Sequence, residues 1–147
     1  DMNIILDINE CPSLPHPEPY SGVRTSMLEI QEFIQKTVKS NKQPIVVFGA
    51  NWCPDARLFE GVIQLPVVKS FLERNANILN IDVGNYEMNT ELFSFFDKNI
   101  QEGIPRIFIM DRKGETLNLH VNDTMRKARE LSIQNIFNYL QEFVVDS

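Results

Sequence analysis

The sequence predicts a single α/β domain in which helices flank a central mixed sheet of four strands. Two observations support this class: apolar patterns of helical and strand type alternate along the chain, and two late strand segments are separated only by the short turn 111–114. The chain has 147 residues, the size of one ordinary domain. We expect residues 1–24 to form a proline-rich N-terminal extension and residues 25–147 to form the domain.

The first predicted helix and strand follow the extension directly. Ser26 and Glu29 have the spacing of a capping box, and apolar residues then recur at helical spacing to about Lys39. Residues 44–48 form a continuous apolar run rich in β-branched residues, which is typical of a buried strand. These residues therefore predict one helix followed by one strand.

Two helices and a second strand come next. A helix should begin at about Cys53, because Pro54 suits the first helical position, where a missing amide costs nothing. Pro66 should start another helix, and residues 78–83 read as a strand. Asn89 is a plausible cap for a short helix whose apolar residues are Leu92, Phe95 and Phe96.

The last third of the sequence predicts a hairpin and a helix. Residues 106–110 form a third strand, the turn 111–114 ends in glycine, and residues 115–120 return as a fourth strand. Residues 121–131 read as a polar, charged insertion, after which Ser132 begins the final helix. Helices between the early strands imply parallel pairing, whereas the hairpin implies an antiparallel edge.

Composition excludes several function classes. The chain has 14 basic and 20 acidic residues, a net charge of −6, which argues against general binding of nucleic acid or of an anionic membrane surface. No apolar run approaches the roughly 20 residues of a membrane span. The only cysteines, Cys11 and Cys53, exclude a disulfide-dense scaffold and a paired-cysteine zinc finger. His16 and His120 fit no zinc spacing, so we expect no metal and no cofactor.

One segment carries a chemical signature, the sequence Trp-Cys-Pro between a strand and a helix. Cys53 should lie where the free backbone amides of the helix N-terminus point, and these amides together with the helix dipole stabilise a thiolate. A thiolate is the nucleophile of thiol–disulfide exchange. Trp52 beside it would shield the sulfur and offer an apolar contact surface.

On these residues the chain resembles the thioredoxin superfamily, and most closely the thioredoxin-like disulfide isomerases and the C-terminal domain of the bacterial thiol–disulfide interchange protein. The residues that carry the resemblance are Ala50-Asn51-Trp52-Cys53-Pro54-Asp55 at the strand-to-helix junction, Arg57 after it, Ile81-Asp82-Val83 in the second strand, and Gly103-Ile104-Pro105 before the third. The resemblance covers roughly three quarters of the chain, residues 44–120 and the final helix.

The resemblance implies a thioredoxin-like fold and thiol–disulfide exchange with protein thiols and disulfides, including a redox partner protein. It implies that the Ile104–Pro105 bond is cis, that the backbone of Ile104 pairs with substrate, and that Trp52 and Pro105 shape the approach to Cys53. It also favours a periplasmic or otherwise exported protein, with the cytoplasm as the alternative. The first residue, Asp1, is consistent with a processed or a trimmed chain.

The departure from the family motif Cys-x-x-Cys is at its second cysteine, which is replaced by Ala56. The resolving thiol, which releases the substrate from the mixed disulfide, is therefore missing. Three explanations stay open: a natural cysteine changed to alanine, a natural single-cysteine enzyme, or a non-catalytic domain that binds peptides in the same groove. A further hypothesis is that Cys11 folds back and pairs with Cys53.

Acidic residues are also unusual around the motif. Many thioredoxins carry a buried carboxylate in the preceding strand, where alignment on the motif places Val47. Asp55 is the nearest acid in sequence; its charge opposes a thiolate, although the helix dipole favours both. We expect Phe93, Phe95 and Phe96 to be core residues, and residues 125–130 to be a solvated face or, as the alternative, to border the partner site.

Overall fold

The structure of the chain is a computed structural model, and it describes residues 3–99 and 102–147. The described residues form three strands, β1 (Gln43–Gly49), β2 (Ala76–Asp82) and β3 (Arg106–Ile109). Their α-helices are α1 (Met27–Lys39), α2 (Pro54–Ile63), α3 (Pro66–Asn75), α4 (Phe93–Phe96) and α5 (Ile133–Phe143). Short 3₁₀ helices span Thr90–Leu92, Leu119–Val121 and Thr124–Glu130.

The sheet has the order β2-β1-β3, with β1 in the centre. β1 and β2 are parallel, with Ile45 opposite Ile78, and α2 and α3 connect them. This confirms the parallel pairing expected where helices separate two strands. β3 runs antiparallel to β1, with Val47 opposite Ile107, so the sheet is mixed.

The predicted fourth strand at residues 115–120 is wrong. Residues 110 and 116 form only an isolated bridge, and the chain then turns into a 3₁₀ helix. The cause is the buried side chain of Asn118, whose Oδ1 accepts a hydrogen bond from the Ile109 N–H (2.8 Å) and whose Nδ2 donates to the Ile107 carbonyl (2.7 Å). One side-chain amide thus satisfies backbone groups of β3 that a fourth strand would otherwise pair.

Asn118→Ala should lower the free energy of unfolding by about 2–4 kcal/mol, because it leaves the buried backbone groups of Ile107 and Ile109 without partners. Asn118 Nδ2 also lies 2.7 Å from the Tyr139 hydroxyl, so a third polar contact is lost. Urea denaturation measures the change. The control is Asn135→Ala on an exposed position of α5, which should change stability by less than about 0.5 kcal/mol. Equal effects of the two variants would contradict this role of Asn118.

The polar, charged insertion predicted at residues 121–131 needs a partial correction, because its charged residues 126, 127, 129 and 130 are exposed while two apolar residues of the segment are buried. Met125 and Ala128 in the 3₁₀ helix Thr124–Glu130 are 0% exposed and belong to the core beside α2 and α5. Lys127 between them has non-helical backbone angles (φ −111°, ψ 27°), so two short 3₁₀ turns meet at a kink and each contributes one buried residue. The charged residues between Met125 and Ala128 hid these two buried positions in the sequence.

β1 separates two apolar clusters, since successive side chains of a strand point to opposite faces. Ile45 and Val47 join the cluster that contains residues of α2, α3 and α5. Val46 and Phe48 join the cluster on the other face, which contains Cys53. The predicted capping box of Ser26 and Glu29 at α1, the start of α2 at Pro54 and the capping of α5 by Ser132 are confirmed.

The N-terminal segment, residues 3–24, lies along the surface of the domain without forming a helix or strand. At its beginning, the Ile4 N–H donates to the side chain of Gln141 on α5 (2.7 Å). Near its end, the Gly22 N–H donates to the Asp82 carboxylate at the end of β2 (2.8 Å). The segment is therefore fixed at both ends. Whether it is an extension separate from the domain remains a prediction.

Asn89 has a different role from the predicted helix cap. Its side chain makes no capping hydrogen bond to the 3₁₀ helix Thr90–Leu92. Instead Oδ1 accepts from the Thr25 N–H (2.9 Å), and Nδ2 donates to the carbonyls of Asp82 (2.7 Å) and Val23 (3.2 Å). Asn89 thus joins the end of β2 to the chain that enters α1. No helix of the described residues is long and apolar enough to cross a membrane.

Candidate functional site

Cys53 lies immediately after the loop that follows β1 and caps the N-terminus of α2. Its residue is 5% exposed. The Ala56 N–H donates a hydrogen bond to Cys53 Sγ (3.5 Å). The Cys53 thiol in turn donates to the Ile104 carbonyl oxygen, with 3.9 Å between sulfur and oxygen. The sulfur therefore lies between the free amides of a helix N-terminus and the loop that precedes β3. The backbone amides of a helix N-terminus can donate hydrogen bonds to a negatively charged group, and the Cys53 sulfur occupies that position.

The negative charge of Asp55, two residues after Cys53, is paired with Arg129 of the 3₁₀ helix Thr124–Glu130. Its Oδ1 accepts from the backbone N–H of Arg129 (2.9 Å) and from Arg129 Nε (3.1 Å), and its side chain is 13% exposed. The repulsion that Asp55 would exert on a thiolate at Cys53 is therefore offset by the Arg129 guanidinium. The sequence left open whether residues 125–130 form a solvated face or border the partner site, and Arg129 of this run contacts Asp55 of the motif.

Trp52 presents an apolar surface beside the thiol. The residue is 50% exposed. Its indole Nε1 donates to the Gly84 carbonyl over 2.6 Å, and its ring makes an edge contact with Tyr86 at a centroid distance of 5.9 Å. The hydrogen bond and the ring contact hold the indole in one orientation while half of its surface remains open.

The loop 103–105 lies opposite Cys53. The Ile104–Pro105 peptide bond is cis, and Ile104 and Pro105 are buried. Arg106 Nε donates to the Gly103 carbonyl (2.7 Å). Gly103 has φ +141°, and a Cβ there would lie 2.4 Å from the Arg126 guanidinium carbon. Only glycine fits this position without displacing that side chain.

Position 56 does not provide a second thiol next to Cys53, and Cys11 does not provide one either. Ala56 is 1% exposed and lies under Cys53 in the first turn of α2. Both cysteines are free thiols, Cys11 exposed and Cys53 buried. The structure therefore does not form the hypothesised pair of Cys11 and Cys53.

Glu60 is a buried acid that the sequence reasoning missed. It is 7% exposed, and burial raises the pKa of its carboxyl group, whereas the hydrogen bond from Gln64 (2.5 Å) opposes that rise. Glu60 lies one helical turn after Ala56, on the same side of α2. Val47, at the position of the family's usual buried acid, is an apolar core residue. The sequence did contain a signal for Glu60. It follows Ala56 by four residues and Cys53 by seven, and these spacings place side chains on one face of a helix.

Glu60→Gln should make the chain more stable at pH 7–8 and change its stability little near pH 4. The folded chain binds the Glu60 proton more tightly than the unfolded chain, because the folded pKa is raised from 4.5. The stabilisation that the protonated Glu60 carboxyl group contributes is therefore fully present below pH 4.5 and is lost as the pH rises through the pKa of the folded chain. Urea denaturation from pH 4 to 8 measures the effect, with Glu32→Gln on the exposed face of α1 as the control. A stability difference that does not grow with pH would contradict a raised pKa at Glu60.

Tyr20 brings the N-terminal segment to the same region. Its residue is 5% exposed, and burial raises the pKa of its hydroxyl, with smaller contributions from Glu60, Cys53 and Asp82. A Cβ at Gly49 would lie 2.2 Å from the Tyr20 hydroxyl, so the ring covers the end of β1. Proline composition predicted an extended segment but carried no information about what it would contact.

Arg57 ties the same segment to α2. Its Nη2 donates to the His16 carbonyl (2.7 Å) and its Nε to the Pro17 carbonyl (3.4 Å). His120 lies elsewhere, in edge contact with Phe143. Across residues 3–99 and 102–147, no group of three or more His, Cys, Asp or Glu side chains is arranged to hold a metal ion.

Comparisons with known proteins agree with this fold. Residues 19–131 match the family model described as thioredoxin. The crystal structure of a disulphide isomerase from Xylella fastidiosa Temecula1 superimposes with a TM-score of 0.76 at 25% sequence identity, over 86% of this chain and 96% of that one. No curated protein sequence matches.

Proposed function

The chain belongs to the thioredoxin family, and from that premise we propose that it exchanges thiols and disulfides with protein substrates through Cys53 alone. The single observation that carries the proposal is the position of the Cys53 sulfur, between the Ala56 amide and the Ile104 carbonyl. The similarity to a disulphide isomerase supports the same class of reaction. The proposed site also includes Trp52, Pro54, Asp55, Ala56 and Pro105.

The proposed reaction begins with attack by the Cys53 thiolate on one sulfur of a substrate disulfide. A new sulfur–sulfur bond joins Cys53 to the substrate, the substrate bond breaks, and the other substrate sulfur leaves as a thiolate. Because position 56 holds alanine, a thiol from the substrate or from a second molecule must attack the mixed disulfide to free Cys53. Attack by another thiol of the same substrate rearranges its disulfides, which is isomerisation without net oxidation or reduction.

Each of the neighbouring residues has a role in this proposal. The backbone of Ile104 would pair with the extended substrate strand, and the exposed face of Trp52 would pack on its apolar side chains. Glu60, with its raised pKa, would accept or return a proton on the inner side of α2. A periplasmic or otherwise exported compartment fits this chemistry and remains a prediction.

The test is refolding of a scrambled disulfide protein, such as ribonuclease with mispaired cysteines, in a buffer of small thiol and its disulfide. We expect the chain to accelerate recovery of ribonuclease activity above the buffer alone. In insulin reduction with dithiothreitol, a chain without a resolving thiol should be a weak catalyst. Failure to accelerate refolding, together with no mixed disulfide on Cys53, would contradict the proposal.

A second candidate function is peptide binding without catalysis. The observation that favours it is the combination of a 5% exposed Cys53 with a 50% exposed Trp52, since the open surface at this site is indole rather than sulfur. Binding of a peptide that has no cysteine, without mixed disulfide formation from disulfide peptides, would identify this function.

A further inference from the structure

A pocket of about 340 Å³ lies beside the Trp-Cys-Pro motif, with Trp52 and Pro54 in its wall. Its wall is shared between the motif and the N-terminal segment. The lining includes Leu14 and His16 of the segment, Trp52 of the motif, Arg57 and Leu58 of α2, and Arg129 of the 3₁₀ helix. A pocket of this size is within the range of ligand sites in proteins.

Two guanidinium groups line the pocket and retain free donors. Arg57 uses Nε and Nη2 on the carbonyls of Pro17 and His16, and Arg129 uses Nε on Asp55. Among the described residues, Nη1 of Arg57 and both Nη atoms of Arg129 have no hydrogen-bond acceptor in the chain. Arg129 has a 62% exposed side chain. Arg129 is paired with Asp55, but no carboxylate is among the residues described as lining the pocket, so its wall carries two cations in a chain whose net charge is −6.

Apart from His16, the rest of the wall is apolar and open. Leu14 is 80% exposed and Trp52 is 50% exposed, although both are large apolar side chains. A wall of this kind suits an apolar side chain next to a carboxylate, since guanidinium groups bind carboxylates with directed hydrogen bonds.

We propose that this pocket is a subsite for an acidic side chain of the substrate polypeptide, close in sequence to the cysteine that Cys53 attacks. This proposal rests on the proposed function and names its substrate class. The carboxylate pairs with Arg57 and Arg129, and the adjacent apolar residue packs on Trp52 and Leu14. The N-terminal segment thereby contributes directly to substrate choice.

Net charge alone predicts the opposite preference. A chain of charge −6 repels an acidic peptide, so without the subsite an acidic substrate should react more slowly than a neutral one. A faster reaction with the acidic substrate therefore requires a local positive site, which makes the direction of the preference informative.

The experiment compares two symmetrical disulfide peptides, the dimers of blocked Glu-Leu-Cys-Leu-Glu and of blocked Gln-Leu-Cys-Leu-Gln. The rate of mixed disulfide formation on Cys53 is followed by mass spectrometry in the Cys11→Ser background. Each rate is divided by the rate of the same peptide with a small monothiol, which removes differences in leaving-group pKa. We expect the Glu peptide to react about three to ten times faster at low salt, and the advantage to shrink as salt rises.

Variants locate the preference. Arg129→Gln and Arg57→Gln should each reduce the ratio, and the double variant should bring it to one or below. Arg74→Gln is the matched control, because Arg74 pairs with Asp146 on another part of the surface and should leave the ratio unchanged. Thermal unfolding of each variant shows whether Arg57→Gln has also loosened the N-terminal segment.

A binding measurement separates the subsite from the chemistry. Trp52 is the only tryptophan, so its fluorescence reports the pocket directly. Peptides in which serine replaces cysteine should bind, the Glu form more tightly than the Gln form, and Arg129→Gln should remove the difference. Equal reaction rates and equal affinities would overturn the subsite and leave the proposed function standing. Preferential Glu binding without mixed disulfide formation would support the subsite and overturn the proposed function.

Discussion

Ala56→Cys is expected to raise the rate of insulin reduction by dithiothreitol at least about tenfold over the unchanged chain. The introduced thiol would lie at the resolving position, three residues after Cys53 and on the same face of the first turn of α2. It would attack the Cys53 sulfur of the mixed disulfide, form an internal disulfide and release the substrate thiolate. Dithiothreitol then reduces the internal disulfide, and the cycle closes with dithiothreitol as the reductant.

The gain comes from proximity. In the unchanged chain a second molecule must reach a sulfur that is 5% exposed, whereas the introduced thiol would already be in place. Glu60, one turn further along α2, would accept its proton, so Glu60→Gln in the same chain should lower the rate.

Ala56→Ser is the matched control, because serine is close to cysteine in size and has no sulfur. Position 56 is 1% exposed, so both substitutions overfill the site and should cost about 1–3 kcal/mol of stability. Thermal unfolding verifies that both variants fold. A folded Ala56→Cys chain that reduces insulin no faster than Ala56→Ser would contradict a redox site and favour the peptide-binding function.

Local signals predicted the site elements well. The start of α2 at Pro54 follows from proline's missing amide, and Cys53 follows as the capping residue before it. The parallel pairing of β1 and β2 follows from the helices between them. The first two predictions depend on neighbouring residues, and the third depends only on the order of the elements along the chain.

The features that the sequence did not predict depend on contacts between distant residues. The side chain of Asn118 makes the hydrogen bonds to the backbone of β3 that a fourth strand would otherwise make. Nothing in the sequence of residues 115–120 indicates this role. Glu60 acquires its raised pKa from burial under other elements. The pairing of Arg129 with Asp55 joins residues 74 positions apart, so the neutralisation of Asp55 could not be read from the motif.

Cys53→Ser should reduce mixed disulfide formation with peptide disulfides to the background of the buffer, a loss of all measurable activity. The comparison is made in Cys11→Ser chains, because Cys11 is an exposed thiol that would itself form mixed disulfides. Mass spectrometry after quenching with acid counts the adducts. The Cys11→Ser chain should retain full reactivity, since its remaining thiol is Cys53.

The loss should be chemical rather than structural. The Cys53 sulfur accepts a hydrogen bond from the Ala56 N–H at the start of α2, and serine is among the preferred residues at that helix position. Cys53→Ser should therefore keep or slightly raise the unfolding temperature and leave the Trp52 fluorescence response to serine-containing peptides intact. If the Cys11→Ser chain forms no adduct and binds those peptides as Cys53→Ser does, the groove holds peptides without exchanging disulfides. If the adduct forms only where Cys53 is present, the sulfur at the start of α2 is the nucleophile.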